Sequence, residues 1–269
     1  MSNDSGGPSR YAPQPSGLRG VVLGALTCCL LAWGCATPNT ATDMPTPATT
    51  SDDRPTTRLV YVYDALCGWC YGFSPVLGAL RERHPGMPID VVSGGMIRGD
   101  RRGPIGEVAG YIKWAYKDVE RATGVRFGES FFRGPLEAGD MYMTSEPPAA
   151  LLAYVREAAP QRQYDGAHAL QTGIYYHGFG PGSDELARHL AEATGLPPEA
   201  VVAARDDARY QRLAEGDFGL TAKLGVRGFP ALFAQVGDSL HVLANGYRPL
   251  AEVSAALDRA LAAAEAPGR

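Results

Sequence analysis

Apolar and polar positions divide the chain into short unbroken apolar runs and longer stretches where apolar residues return every three or four positions. Leu59 to Tyr63 is a continuous β-branched and aromatic run, the pattern of a strand buried on both faces of a mixed or parallel sheet. From Tyr71 to Arg83 the apolar residues Phe73, Val76, Leu77 and Leu80 predict a helix that ends before His84, Pro85 and Gly86. Pro75 lies inside it and predicts a kink. Ile89 to Val92 reads as the next strand, closed by Ser93, Gly94 and Gly95, and completes a βαβ unit.

From about Pro104 to Lys223 the pattern is helical almost throughout. The spacing predicts helices over 106–123, 147–158, 161–177, 184–194 and 198–214, separated by Gly, Pro and acidic residues. The prolines Pro147 and Pro148 fall in a first turn, where a missing N–H does no harm. So many amphipathic stripes must be buried against something, and a compact helical subdomain is the expectation. Strands at 231–236 and 240–244 follow, with Gly237 and Asp238 as their hairpin turn, and a final helix covers about 249–264 with Val253, Leu257 and Leu261 on one stripe. No repeat of fixed period is present.

The amino terminus reads differently. Residues 1–17 are rich in Gly, Pro and Ser and bury little. Arg19 precedes an apolar run from Val21 to Trp33, which is short for a membrane span and suits the core of a signal peptide. Its ending, LAWGC at 31–35, resembles a lipoprotein box with Cys35 as the lipidated residue, although Trp33 is bulky and Leu31 one position early. Cleavage at the small-x-small pattern Gly34-Cys35-Ala36 is the rival, and a membrane anchor the third reading. Each carries the rest of the chain out of the cytoplasm, to a periplasmic location in a bacterium. Residues 36–57, dense in Thr, Pro and Asp, read as an extended disordered tether.

Net charge is −4 and the charges are spread without a basic block, which argues against nucleic acid as a partner. Of five cysteines, Cys28, Cys29 and Cys35 belong to the signal, leaving Cys67 and Cys70 as the thiols of the folded part. A framework of structural disulfides is thereby excluded.

The stretch YDALCGWC at 63–70 places those two thiols at a strand-to-helix junction. There the first cysteine meets outward-pointing helix N–H groups and serves as nucleophile, while the second, inside the turn, resolves the mixed disulfide. Zinc would need two more ligands at short spacing, and His84, His168, His177, His189 and His241 are scattered, so they read as surface or packing residues and no metal is expected. A core-cysteine reading leaves the clustering unexplained. The redox pair is preferred.

The order of elements, the strand-CxxC-helix junction and the late Gly228-Phe229-Pro230 before a strand resemble the DsbA-like branch of the thioredoxin superfamily, and YDALCGWCYGFSP is similar to a bacterial group of predicted protein-disulfide isomerases near the FrnE-like proteins. The likeness spans roughly 57–264 and is specific at the CxxC and at Gly-Phe-Pro. It implies an α/β thioredoxin fold with a helical insertion: a thioredoxin-fold domain over 58–103 and 224–264, and the inserted helical subdomain over 104–223. It also implies that Pro230 is cis opposite the dithiol, and that Phe229, with Gly68 and Trp69, meets an extended substrate peptide by strand addition. Gly68 and Trp69 replace the Pro-His of DsbA and bring no charge to the thiolate, so a weaker oxidant is expected. Phe229 is bulkier than the Val or Thr common before this proline, which predicts a narrower groove.

Asp64, three residues before Cys67, is either a proton acceptor for Cys70 or a turn residue, and the turn is preferred. The loop from Ser93 to Met96 reads as an ordinary connection. The function expected is an exported thiol-disulfide oxidoreductase working through a Cys67–Cys70 disulfide without further cofactor, on cysteine-containing proteins and with a redox partner protein. Two rivals remain: a glutathione-dependent isomerase or transferase of the 2-hydroxychromene-2-carboxylate isomerase or kappa-class type, and a metal-binding or scaffolding module without enzymatic activity.

Overall fold

The computed structural model describes residues 57–265. The signal segment 1–35 with its Cys35, and the tether over 36–57 save Thr57, lie outside the described residues. Four strands form the main sheet: β1 (Thr57–Tyr63), β2 (Ile89–Ser93), β5 (Ala231–Val236) and β6 (Ser239–Asn245), in the order β2-β1-β5-β6. Strand β1 runs parallel to β2, with Leu59 opposite Ile89, and antiparallel to β5, with Val62 opposite Ala231. Leu59, Tyr61 and Tyr63 enter the main core, while Val62 joins Val92, Ala231 and Phe233 on the other face. Both faces are covered, which is why this run shows no polar alternation.

Helix α1 (Gly68–Arg83) connects β1 to β2 and buries Phe73, Leu77 and Leu80, each worth about 1.5–3 kcal/mol in transfer from water. It starts three residues earlier than the apolar spacing suggests and is continuous across Pro75. The last helix, α9 (Leu250–Glu265), packs on β5, β6 and α1.

Between β2 and β5 come α2 (Ala109–Thr123), the single turn α3 (Glu129–Phe131), α4 (Glu146–Ala158), α5 (Gln163–Tyr175), α6 (Asp184–Thr194), α7 (Pro198–Asp206) and α8 (Ala208–Lys223). The helix expected over 198–214 is two helices. Asp207 is extended at φ −74°, ψ 122° and its carboxylate accepts the N–H of Arg209 at 2.7 Å, capping a new helix that runs to Lys223. The helix expected from 106 begins at Ala109, because Ile105 to Glu107 forms a tighter turn first. Two short strands also interrupt the helical stretch, β3 (Gly103–Pro104) and β4 (Tyr142–Met143), which pair antiparallel. The N–H of Ile105 continues this pairing on the Met141 carbonyl at 2.8 Å. The start of α2 is thus tied to the approach to α4.

Candidate functional site

Cys67 is the residue before the first turn of α1, extended at φ −96°, ψ 110°, and its carbonyl accepts the N–H groups of Cys70 and Tyr71 at 3.0 and 3.1 Å. Its side chain is nearly covered, at 7% exposure, and Cys70 is fully covered at 0%. Both are free thiols. Cys67 Sγ donates to the backbone carbonyl of Phe229 at 3.6 Å. The Phe229–Pro230 peptide is cis, and the Pro230 carbonyl accepts the N–H of Gly246 at 2.8 Å. The dithiol therefore faces the turn that leads into β5, across 162 residues of sequence.

Burial pushes the Cys70 thiol well above its ordinary value, reinforced by the neighbouring Cys67 and the charge of Asp64, while the Asp64 N–H pulls it back. Cys70 is thus held protonated behind the more accessible Cys67.

Asp64 is buried, and its carboxylate accepts from Leu66 N–H at 3.0 Å, Met96 N–H at 2.7 Å and the Ser145 hydroxyl at 3.1 Å. Burial raises its titration, and these donors oppose the rise. The bond to Leu66 is a turn bond; Asp64 meets the Cys70 sulfur through its backbone N–H. Helix α5 reaches the same turn from the other side. Tyr175 of α5 donates its hydroxyl to the Leu66 carbonyl, and Gln171 donates to the Asp64 carbonyl at 3.4 Å.

The loop after β2 is not an ordinary connection. A Cβ on Gly94 would lie 2.2 Å from Phe229 Cε1, so the Phe229 ring rests where only glycine leaves room. The bulk of Phe229 is spent on that loop, and it is absent from the wall of the cavity described next. Met96 and Ile97, farther along, do line it.

That cavity, about 280 Å³, opens beside Cys67 between the α1 turn, the 96–97 loop and α2. Gly68 and Trp69 line it, and helix α2 contributes Ile112, Tyr116 and Val119. Every lining residue is apolar, aromatic, glycine or cysteine; none carries a charge. Trp69 also leans on Tyr247, with ring centroids 6.0 Å apart. A larger cleft of about 490 Å³ near the α7–α8 junction holds mixed charges such as Arg205 and Asp206, which pair at 2.7 Å, and no thiol. Among the described residues no group of three or more His, Cys, Asp or Glu is placed to hold a metal. His168 bonds Ser74 of α1 at 2.8 Å.

The structure thus brings together Cys67, Cys70, Gly68, Trp69, Asp64, Phe229 and Pro230. Sequence reasoning missed Ser145, Tyr175, Tyr247 and the α2 wall. The α2 residues had a signal, a helical stripe of apolar positions, but nothing local said what it faced.

A family model described as a DSBA-like thioredoxin domain matches residues 58–258. Among solved structures, a provisional protein disulfide isomerase from Nitrosomonas europaea is similar at TM-score 0.66 and 23% identity, covering 77% of this chain and 98% of its own. The cytosolic disulfide reductase DsbM from Pseudomonas aeruginosa is similar at TM-score 0.64 and 28% identity, with 77% and 99% covered. DsbM is also solved with GSH, at TM-score 0.62, 28% identity and 76% and 99% covered. Comparison with curated proteins gave no significant match.

Proposed function

Since the chain belongs to the family of DSBA-like thioredoxin domains, we propose that it is an exported thiol-disulfide oxidoreductase exchanging disulfides with cysteines of envelope proteins. The observation that carries this reading is the placement of Cys67 on an uncharged apolar cavity with Cys70 buried behind it. An apolar wall suits the segments around cysteines in incompletely folded proteins, which expose what a finished core covers.

In the reducing direction the Cys67 thiolate attacks one sulfur of a substrate disulfide, and the other sulfur leaves as a thiolate and takes up a proton. Cys70 then loses its proton and attacks Cys67 Sγ, which releases the second substrate thiol. Two electrons and two protons pass to the substrate and the Cys67–Cys70 disulfide remains. Run backwards, the same steps oxidise a dithiol, and the potential of the redox partner protein sets the direction. The Phe229 carbonyl, which accepts the Cys67 thiol proton in the free protein, belongs to the backbone that would pair with an extended substrate.

Cys70→Ala is the deciding variant. It is expected to accumulate mixed disulfides between Cys67 and envelope proteins, and Cys67→Ser to abolish them. Turnover of a peptide disulfide at the native rate by Cys67→Ser would end the proposal. Export rests on the apolar run from Val21 to Trp33 behind Arg19. Cell fractionation tests it, and Cys35→Ser releases the protein from the membrane fraction if Cys35 is the lipid anchor.

A second reading, glutathione-dependent chemistry, draws on the GSH complex of DsbM. It predicts saturable glutathione binding and full turnover in Cys70→Ala. The uncharged cavity wall favours the first reading, since glutathione carries two carboxylates and an ammonium that this wall leaves unpaired.

A further inference from the structure

Three pieces of the cavity come from distant parts of the chain: the turn Leu66–Trp69, the loop Met96–Ile97, and Met143 at the end of β4. One buried polar node fastens all three. The Asp64 carboxylate takes the N–H groups of Leu66 and Met96, with that of Gly95 beside them, and the Ser145 hydroxyl at 3.1 Å. The same hydroxyl accepts the Ile97 N–H at 2.9 Å, and the Ser145 N–H donates to the Ile97 carbonyl at 2.9 Å. Ser145 is 2% exposed and lies two residues after Met143. It precedes α4 without capping that helix through its side chain. Its hydroxyl is therefore committed to the loop and to Asp64 rather than to its own helix.

We infer that Ser145 is a positioning residue for substrate, setting the Met96–Ile97 wall of the apolar cavity at a fixed distance from the Cys67 sulfur. The inference rests on the exchange reaction proposed above and deepens it. It makes the cavity a pocket for an apolar side chain next to the reacting cysteine, and it names the bond that keeps the pocket in shape. Removing the hydroxyl orphans the half-buried Ile97 N–H and takes one donor from Asp64, so the wall is free to move while both thiols keep their places. The loss then falls on substrates that use the pocket and spares those that do not.

The experiment compares two cystine-bridged peptides differing at one position beside the cysteine, leucine in one and serine in the other. Ser145→Ala is expected to raise KM for the leucine peptide about tenfold, the size of effect that follows when a largely covered N–H loses its acceptor. The kcat for that peptide and both constants for the serine peptide are expected to stay within about twofold, the range in which weak coupling is lost in error. Ser145→Thr keeps the hydroxyl and is expected to restore the leucine peptide's KM. Amide hydrogen exchange gives a reading independent of turnover: Met96 and Ile97 should exchange faster in Ser145→Ala while Tyr61 and Leu232, in the sheet, do not. Equal losses on both peptides, a Thr variant as impaired as Ala, or unchanged exchange at Ile97 would each overturn the inference. A native protein that exchanges neither peptide's disulfide overturns the functional reading instead, and is told apart by the exchange data.

Discussion

Cys70 and Asp64 sit within one turn of each other, and their charges set how the site responds to pH. Cys70 is pushed up first by burial, then by Cys67 and by the carboxylate of Asp64. The attacking form is the thiolate, whose fraction rises tenfold per pH unit below the titration point. Release of a substrate trapped on Cys67 is therefore expected to keep accelerating past about pH 8.5, where a free cysteine levels off. Quenched-flow measurement of that release from pH 7 to 9.5 checks it; a plateau near 8.5 would contradict the burial argument. Asp64→Asn separates the two roles open to this side chain. Its oxygens are already engaged by Leu66, Met96 and Ser145, so its effect on Cys70 is that of a nearby charge. Removing the charge should lower the Cys70 titration, read by pH-dependent alkylation of the Cys70 peptide in a Cys67→Ser background. A proton-accepting Asp64 predicts instead that release slows in Asp64→Asn at pH 7. Gly94 offers a steric test of the same site. A methyl there collides with the Phe229 ring, whose backbone carbonyl receives the Cys67 thiol. Gly94→Ala should cost about 1–3 kcal/mol in urea unfolding, as overpacking does, and slow exchange. The double variant with Phe229→Ala should recover most of that loss, because the two changes share one space.

At the scale of elements, helix α2 decides what the site accepts. Its stripe of Ile112, Tyr116 and Val119 faces the cavity with Tyr111 at the rim, 66% exposed, while Trp114 stands outside it at 67%. Ile112→Glu sets an unpaired charge on the rim of the apolar wall, which is costly once a substrate covers it. KM for an apolar-flanked peptide disulfide should rise by about tenfold or more with kcat retained, by the same desolvation argument. A fall in kcat alone would show that the wall acts on the chemistry and not on binding. The amphipathic stripe of α2 was legible in the sequence, as were the CxxC junction, Gly228-Phe229-Pro230 and the five-residue apolar core of β1. Its destination was not. The pairing of Gly103–Pro104 with Tyr142–Met143 brings α2 to the site, and two-residue strands containing a proline leave no periodic trace. The break at Asp207 was hidden for a different reason. Arg205 to Arg209 holds no Gly or Pro, and the new start is marked by Asp207, extended in its backbone and accepting the Arg209 N–H with its carboxylate. Ser145 had no signal at all, since a lone buried serine acquires its role from partners 48 and 81 residues away.

At the scale of the whole described molecule, the helices between β2 and β5 share their main core with the sheet and keep only a small cluster of their own, Ala149, Ala214 and Phe218. Leu77 and Leu80 of α1, Leu151 and Leu152 of α4, Leu170 and Ile174 of α5, and Leu257 of α9 belong to one cluster of buried side chains. A polar tie crosses the same boundary. Asp217 of α8 accepts the Ser93 N–H of β2 at 3.2 Å and pairs with Arg156 of α4 at 2.8 Å. Burial raises the Asp217 carboxyl and Arg156 opposes the rise, and the pair links three elements with Asp217 covered and Arg156 partly exposed. A block of helices that shares its apolar contacts with the sheet has no favourable state of its own when the sheet unfolds, because its stripes would then face water. Urea unfolding is accordingly expected to be a single transition. Far-UV circular dichroism, dominated by the helices, and alkylation of buried Cys70, which reports the sheet end, should give midpoints within about 0.2 M of each other. Asp217→Asn should move both midpoints down together, leaving Arg156 with the Val91 carbonyl at 3.4 Å in place of its carboxylate partner, at a cost of about 2 kcal/mol. Two separated midpoints, or a shift in the helical one alone, would mean that the inserted helices fold independently and that the site at their junction with α1 is assembled by docking.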